Sequence, residues 1–310
     1  MTNNDELMFS VEVATYNQKE FIAQTLQSII DQEHNYKYEI LVSDDCSTDG
    51  TKEIIREFQI KYPDIIKPIY NGKNLGAMKN YYSNISRASG KYLMGCGGDD
   101  YWLPGKVKKQ IDFMEQNPGI GLCYSRAKIY KEDKKEYDGY TGSVQTDIKD
   151  ILYKGNCVSA LTTCVRMDLF KKYLEEIKPQ NKDWLMEDYP FNIYAFFESY
   201  VYYMSEPMGV YRVIKDSLCH QVNPKKQFNF EKSIYEIRTF FANKYNFSIP
   251  ILTDKDIYNI VKDSYSVDKN ELNTLRIELK LPKENHLFIS FIKKIIKTIM
   301  PYGLVVHIKK

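Results

Sequence analysis

The constraint that most limits this chain is an alternation of strand and helix patterns that runs through its first 125 residues. Phe9, Val11 and Val13 alternate with Ser10 and Glu12, the period of a strand. Phe21, Ile22, Leu26, Ile29 and Ile30 then recur at helical spacing, and Asn17 with Glu20 three residues on predicts an N-cap in a weaker form of the capping box. Further strands are predicted at residues 38–42, 65–70, 92–96 and 120–124, and further helices around Ile54, Ile55 and Phe58, over 77–88 and over 106–116. Strands separated by helices require right-handed crossovers and a mostly parallel sheet. In such sheets ligands bind beyond the carboxyl ends of the strands. Those ends carry Thr15-Tyr16-Asn17, Asp44-Asp45 and Asp99-Asp100, so three polar clusters are predicted along one edge.

Residues 131–150 are charged, contain glycine and lack large aliphatics, which predicts a surface hairpin or excursion. An amphipathic helix from Asp168, an aromatic-rich helix over 189–199 and short strands at 201–204 and 208–213 follow. From Gln227 the pattern is helical, over 228–245, 254–264, 269–279 and 287–300. A boundary near Asn223-Pro224 divides the chain into a catalytic domain, 1–223, and a helical C-terminal region, 224–310. The 310 residues are enough for one large domain or two small ones.

Charge excludes one class of partner: 43 Lys and Arg against 41 Asp and Glu give +2, with no global signal for nucleic acid. The six cysteines, Cys46, Cys96, Cys123, Cys157, Cys164 and Cys219, form no C-x-x-C pair and sit in apolar segments. They read as reduced, buried thiols of a cytoplasmic protein rather than zinc ligands. The N-terminus is polar and acidic, unlike a signal peptide, and no run of 18 apolar residues predicts a membrane span.

Each acidic cluster has a chemical and a structural reading. A carboxylate at Asp44-Asp45 accepts from a base N–H or a ribose hydroxyl, or it caps a helix. Asp99-Asp100, after two glycines that permit close backbone approach, suits a hard divalent cation that also takes diphosphate oxygens, or it is a polar turn. Glu187-Asp188 supplies a general base, or it is the acidic start of a helix.

Taken in order, these segments resemble the family 2 glycosyltransferases of the GT-A fold, of the bacterial polysaccharide-synthesis kind. Residues 9–17 resemble the family's opening strand and Pro-Thr-Tyr-Asn turn, with Ala14 in place of Pro. Residues 25–32 resemble its first helix, and 39–51 its Asp-Asp-Gly-Ser-Thr-Asp-Gly-Thr signature, with Cys46 for Gly. Asn74-Leu75-Gly76 and Asn80 match the next loop and helix, 98–106 match the Asp-x-Asp region and its Pro-x-Lys, and Val210-Tyr211-Arg212 matches a late Val-Tyr-Arg. The likeness covers about residues 8–220.

The resemblance implies an α/β chain of GT-A fold, with a mostly parallel central sheet flanked by helices. It implies an inverting transfer from a nucleotide sugar, most commonly a UDP-sugar, to a saccharide or lipid-linked saccharide in surface polysaccharide synthesis. Ala14, Thr15, Tyr16, Asn17, Asn80, Gly98 and Arg212 would line the nucleotide-sugar pocket, with Asp45 reading the base and Asp44 supporting the loop. Asp99 would hold Mn²⁺ or Mg²⁺ on the donor diphosphate, and Asp188, beside Glu187, would deprotonate the acceptor hydroxyl. Arg212 pairs with diphosphate or with a core carboxylate on this reading. The sequence departs from the family twice: Gly97 stands where Glu or Asp is usual, and Ile214 where His is frequent, with His220 a candidate metal ligand in its stead or a structural histidine.

A non-catalytic nucleotide-sugar or saccharide-binding protein is the alternative, kept alive by Gly97. A nucleotidyltransferase lacks its Gly-rich loop here, and a dinucleotide dehydrogenase its G-x-G-x-x-G. Near the C-terminus Phe288, Phe291, Ile292, Ile295 and Ile299 form an apolar stripe flanked by Lys293, Lys294 and Lys297. That stripe predicts an interfacial helix on an anionic membrane surface, or one that packs on the protein.

Overall fold

The computed structural model describes residues 6–145, 147–214 and 223–282. In chain order its elements are β1 (Leu7–Thr15), α1 (Ile22–Ile30), β2 (Lys37–Asp44), α2 (Thr51–Lys61), β3 (Ile66–Tyr70), α3 (Ala77–Ile85) and β4 (Tyr92–Gly95). There follow β5 (Tyr101–Trp102), α4 (Lys106–Gln116), β6 (Ile120–Ser125), β7 (Ala127–Lys131), β8 (Glu136–Thr141), α5 (Asp150–Tyr153), β9 (Cys164–Arg166) and α6 (Met167–Ile177). The last are α7 (Asp188–Glu198), β10 (Tyr200–Met204), β11 (Gly209–Val213), α8 (Pro224–Tyr245), α9 (Asp254–Ser264) and α10 (Lys269–Glu278). The chain forms two compact units. One comprises Met1–Val144, Val158–Lys182 and Tyr194–Arg212; the other comprises Gln145–Cys157, Asp183–Ile193 and Val213–Lys310. The helical region after residue 223 therefore shares its unit with two segments that precede the boundary expected from sequence.

The first unit is built on a seven-stranded sheet in the order β10-β6-β9-β4-β1-β2-β3. β3, β2, β1 and β4 run parallel, as does β10 to β6, while β9 is antiparallel to both β4 and β6. This is the mixed α/β sheet of the GT-A fold, flanked by helices. The alternation in β1 does not mark an inside and an outside. Phe9, Val11 and Val13 are buried, and so are Ser10 and Glu12 on the other face. A central parallel strand is covered on both sides, so those polar groups need partners. Ser10 donates to Glu39 Oε1 (2.6 Å), and Asn84 Nδ2 donates to Glu12 Oε1 (3.1 Å). The helices cover the sheet with the faces their spacing predicted: Val107, Ile111 and Met114 of α4 are all fully buried. Residues 131–150 include one arm of the expected hairpin. β7 and β8 pair antiparallel and belong to a second, four-stranded sheet, β5-β11-β7-β8.

Lys106 opens α4 fully buried. Its Nζ lies 4.2 Å from the centre of the Trp102 ring and donates to Gln110 Oε1 (2.7 Å) and to the Thr163 carbonyl (3.2 Å). Burial lowers its pKa to about 8. The five described cysteines are free thiols, as the sequence suggested; Cys219 lies outside the described residues.

The second unit has its own small core of Phe228, Ile257, Tyr258, Val261 and Leu275, on α8, α9 and α10. Asn223 caps α8 by accepting from the backbone N–H groups of Lys225 and Lys226, and Thr253 with Asp256 closes a capping box on α9. Among the described residues no helix is long and apolar enough to cross a membrane. The amphipathic stretch 287–300 and His220 lie outside the described residues.

Candidate active site

The polar clusters meet because the sheet aligns their strands. Thr15 ends β1 in register with Asp44 at the end of β2, and Asp44 is in turn in register with Tyr70 at the end of β3. β4 ends beside β1, with Gly95 opposite Glu12, and the chain turns at once into Gly97-Gly98-Asp99-Asp100. All of these residues belong to the first unit.

Residues 14–18 are tied to the loop after β2. The Asn17 N–H donates to Ser47 Oγ (2.8 Å) and Asn17 Oδ1 accepts from the Thr48 N–H (2.9 Å). Asn17 has φ 51, a left-handed conformation that asparagine tolerates better than most residues. It does not cap α1, which begins at Ile22 with Phe21 at the N-cap position; tertiary bonds claim the side chain instead. Ala14 contributes its carbonyl, which accepts from the Gly98 N–H (3.2 Å). Thr15 is buried, whereas the Tyr16 ring is 48% exposed.

The two adjacent carboxylates at the end of β2 are bonded differently. Asp45 Oδ1 accepts from Asn71 Nδ2 (3.1 Å) and the Leu75 N–H (2.8 Å), and its Oδ2 accepts from the Gly76 N–H (2.9 Å). It is the anchor of the 71–76 loop. Asp44 accepts from the Ser47 N–H through Oδ2 (3.2 Å), but its buried Oδ1 has no hydrogen-bond partner. The unmatched acceptor is therefore on Asp44. Asn80 ties the loop after β3 to β2. It is buried, donates to the Ser43 carbonyl (3.1 Å) and accepts from Asn71 Nδ2 (2.8 Å).

Gly98 permits the next approach. A Cβ there would fall 2.3 Å from Gln18 Oε1 and 2.8 Å from the Thr15 side chain, so only glycine lets the turn lie against the end of β1. The buried Thr25 hydroxyl of α1 bonds the carbonyl of Asp100 (2.6 Å) and lies 3.0 Å from that of Gly98. Asp100 Oδ1 accepts the backbone N–H of Arg212 (2.8 Å), and the Arg212 guanidinium donates to the Asp99 carbonyl (2.6 Å) and to Glu132 Oε2 (3.3 Å). Arg212 is itself buried, between the rings of Phe21 and Tyr101 at 4.9 and 5.0 Å. Its guanidinium thus joins the Asp99 backbone to the Glu132 carboxylate.

Burial pushes the Asp99 carboxyl up from its ordinary pKa, against the pull of Arg212 and of a hydrogen bond from Gln18. Asp100 is pushed well up, first by burial and then by the charge of Asp99. One oxygen of each converges on the open side of Gly97: a Cβ there would lie 3.0 Å from Asp99 Oδ1 and 3.6 Å from Asp100 Oδ2. Two crowded carboxylate oxygens suit a hard cation that completes its shell with water and phosphate oxygens. Among the described residues no group of three or more His, Cys, Asp or Glu side chains is gathered as a metal site.

Residues 10–174 match the profile of the family described as Glycosyl transferase family 2, more than half of the chain. The chain belongs to that family. Among its relatives, the dTDP-rhamnosyl transferase RfbG of Shigella flexneri is 31% identical over 209 residues, 64% of this chain and 71% of RfbG. The first curated relatives, uncharacterized Mycobacterium proteins 35% identical over 125 residues, are spanned over only 36% of their length. Two solved structures share the fold. Staphylococcus aureus TarS in complex with UDP-GlcNAc is 20% identical with a TM-score of 0.58, over 83% of this chain and 71% of that one. The Pyrobaculum calidifontis mannosyltransferase PcManGT, in complex with GDP-Man and Mn²⁺, is 15% identical with a TM-score of 0.56, over 94% and 86%.

Glu187 and Asp188 lie in the second unit, at the start of α7. Asp188 Oδ2 accepts from Asn156 Nδ2 (2.8 Å), its Oδ1 accepts from the Tyr189 N–H (2.7 Å), and Asn192 donates to Asn156 (3.0 Å). Burial raises the Asp188 pKa, and raises that of Glu187 to about 7 with help from the Asp188 charge. Asn156 carried no signal in the sequence, because its partners lie more than thirty residues away; Asn71 was equally silent, although Leu75 and Gly76 sat inside a recognised motif.

Proposed function

We propose that this chain transfers a sugar from a nucleotide-sugar donor, a UDP-sugar first, to a hydroxyl of a saccharide or lipid-linked saccharide during surface polysaccharide synthesis. The observation that carries this reading is that the unmatched Asp44 Oδ1 and the Asp99–Asp100 pair follow neighbouring strands along one edge of the sheet. Asp44 Oδ1 is an acceptor suited to the N3–H that uracil and thymine share, and a buried carboxylate oxygen without a donor favours a ligand that brings one. This fits the UDP-GlcNAc held by TarS and the dTDP-sugar of RfbG alike. The exposed Tyr16 ring offers a face for the nucleoside.

Asp99 Oδ1 and Asp100 Oδ2 would hold Mn²⁺ or Mg²⁺; a divalent ion there neutralises charge that develops on the leaving diphosphate. Arg212 keeps both acids in place. Asp188 takes the proton of the acceptor hydroxyl, the new bond forms at the anomeric carbon, the bond from that carbon to the diphosphate oxygen breaks, and the nucleoside diphosphate leaves. Attack from the face opposite the nucleotide inverts the anomeric configuration. Glu187, next to Asp188, is itself held protonated up to about pH 7 by burial and by the Asp188 charge, and burial raises the basicity of Asp188. The stretch 287–300 would hold the enzyme at the anionic face of a membrane where a lipid-linked acceptor resides, and flotation of the full chain on anionic vesicles tests that point.

Gly97 favours a second reading, a nucleotide-sugar-binding protein without turnover. One experiment separates the two. Thermal unfolding is followed with UDP-, dTDP- and GDP-sugars, with Mn²⁺ or with chelator, and nucleotide release is assayed alongside. A ligand of the native state at a hundred times its Kd stabilises by about 2.7 kcal/mol. A shift with a pyrimidine nucleotide sugar and release of its diphosphate supports the transferase; a shift without release in the presence of acceptor supports the binder. No shift with any donor overturns both.

A further inference from the structure

Arg212, whose guanidinium donates to the Asp99 carbonyl, also lines a groove of the first unit. Its larger lobe has a volume of about 610 Å³ and is walled by Phe21, Tyr101, Tyr130 and Tyr137. A smaller lobe, about 270 Å³, runs along α1 over Trp102 and Pro104. Gln24 and Tyr101 line both lobes, so the two are neighbours.

The chemistry of the walls selects among occupants. In the larger lobe the cations Arg212 and Lys135 face the carboxylates Glu20 and Glu132. Glu132 is already paired with both Arg212 and Lys135, so no net positive charge is left for a diphosphate. The rings form a rigid platform: Tyr130 and Tyr137 meet at 5.1 Å between centroids and 65°, and the hydroxyls of Tyr101 and Tyr137 are 3.0 Å apart. Tyr137 is nevertheless 57% exposed. Along the smaller lobe the edge is amide and carboxylate, with Gln27 Nε2 donating to Asp31 Oδ1 (2.6 Å). Aromatic faces with paired amide and acid groups at the rim suit a neutral ring that has apolar C–H faces and hydroxyls around its edge.

We propose that this groove binds at least two consecutive sugar units of the saccharide acceptor, one against Tyr137 and Tyr130 and the next along Gln27 and Trp102. The proposal rests on the transferase reading above, and narrows its saccharide acceptor to a neutral oligosaccharide. A pair of neighbouring lobes favours a chain of sugars over a single one.

The test uses the full-length protein on a printed array of short bacterial surface oligosaccharides and their constituent monosaccharides, beside thermal shifts with UDP- and dTDP-sugars. The wild type is expected to retain oligosaccharides and not monosaccharides. Tyr137→Ala and Gln27→Ala should each weaken that retention about tenfold, Tyr137→Phe should largely keep it, and all three should keep the nucleotide-sugar shift. Failure of the wild type to retain any glycan while still responding to nucleotide sugars overturns the groove alone. Retention that neither alanine variant weakens also overturns it. Retention abolished by nucleotide sugar makes the groove the donor's sugar pocket and removes the acceptor assignment. Absence of any nucleotide-sugar shift sinks the transferase reading itself.

Discussion

Asp45 holds Gly76: the Gly76 N–H donates to Asp45 Oδ2 at 2.9 Å, across thirty-one residues of sequence. With the Leu75 N–H and Asn71 on its other oxygen, this carboxylate is fully engaged, while its neighbour Asp44 keeps one buried oxygen without a partner. Adjacent residues of the same type thus have opposite sensitivities. Asp45→Asn should destabilise the fold, since a hydrogen bond to a charged group contributes about 1.5–3 kcal/mol. Asp44→Asn should leave stability nearly unchanged and weaken binding of UDP and dTDP about tenfold or more, the cost of one mismatched polar contact. Denaturant unfolding with UDP titration on both variants checks the pair; a nucleotide defect confined to Asp45→Asn would return base reading to that residue.

Local chemistry explains how far the sequence reading reached. α4 was legible because Val107, Ile111 and Met114 mark one face, whereas the capping box of Thr253 and Asp256 that opens α9 was not read from the sequence. β9 has only three residues, too few to show a period, and its antiparallel direction is set by its neighbours β4 and β6. Asn17 has the composition of an N-cap, yet its side chain is claimed by Thr48, a bond that no window of neighbouring residues contains. The same holds for the candidate site. Which of two adjacent aspartates is unmatched depends on where the 71–76 loop folds back, and periodicity carries nothing about that.

Gly97 supplies a gain-of-function test. Its φ is not in the left-handed region, and the atoms nearest to an added Cβ belong to the Asp99 and Asp100 side chains, the first of which must shift slightly from 3.0 Å, so Gly97→Asp should fold. The added carboxylate would face the same point as Asp99 Oδ1 and Asp100 Oδ2. It should lower the Mn²⁺ concentration needed for half-maximal nucleotide-diphosphate binding about tenfold, the equivalent of about 1.4 kcal/mol. Calorimetric titration of UDP at graded Mn²⁺ measures this. Weaker metal dependence in the variant would mean that these oxygens do not share a cation.

Glu187 links stability to pH. Burial and the Asp188 charge raise its folded pKa from 4.5 to about 7. The folded state therefore binds more protons than the unfolded chain between those values. The stability that its protonated form contributes is complete below pH 4.5 and is lost as pH rises through 7. Glu187→Gln keeps a neutral side chain throughout. Its melting temperature should exceed that of the wild type above pH 7, and the difference should shrink to nothing near pH 4.5. A constant offset across this range would show that Glu187 is not charged in the folded protein where this linkage needs it to be.

Asn156 ties that pair to catalysis. Its N–H donation at 2.8 Å favours the ionised form of Asp188 and lowers a pKa that burial raises. Asp188→Asn should cost about 10²–10⁴-fold in turnover, the usual worth of a general base, with donor binding retained. Asn156→Ala removes the donor but leaves the base. Its turnover should therefore recover at high pH, while the acid limb of kcat against pH moves upward, because more of the Asp188 population is protonated at a given pH. A purely structural role for Asn156 would lower turnover by the same factor at every pH. The profile of Asn156→Ala against wild type, read together with the flat residual rate of Asp188→Asn, distinguishes a tuned base from a packing contact at the start of α7.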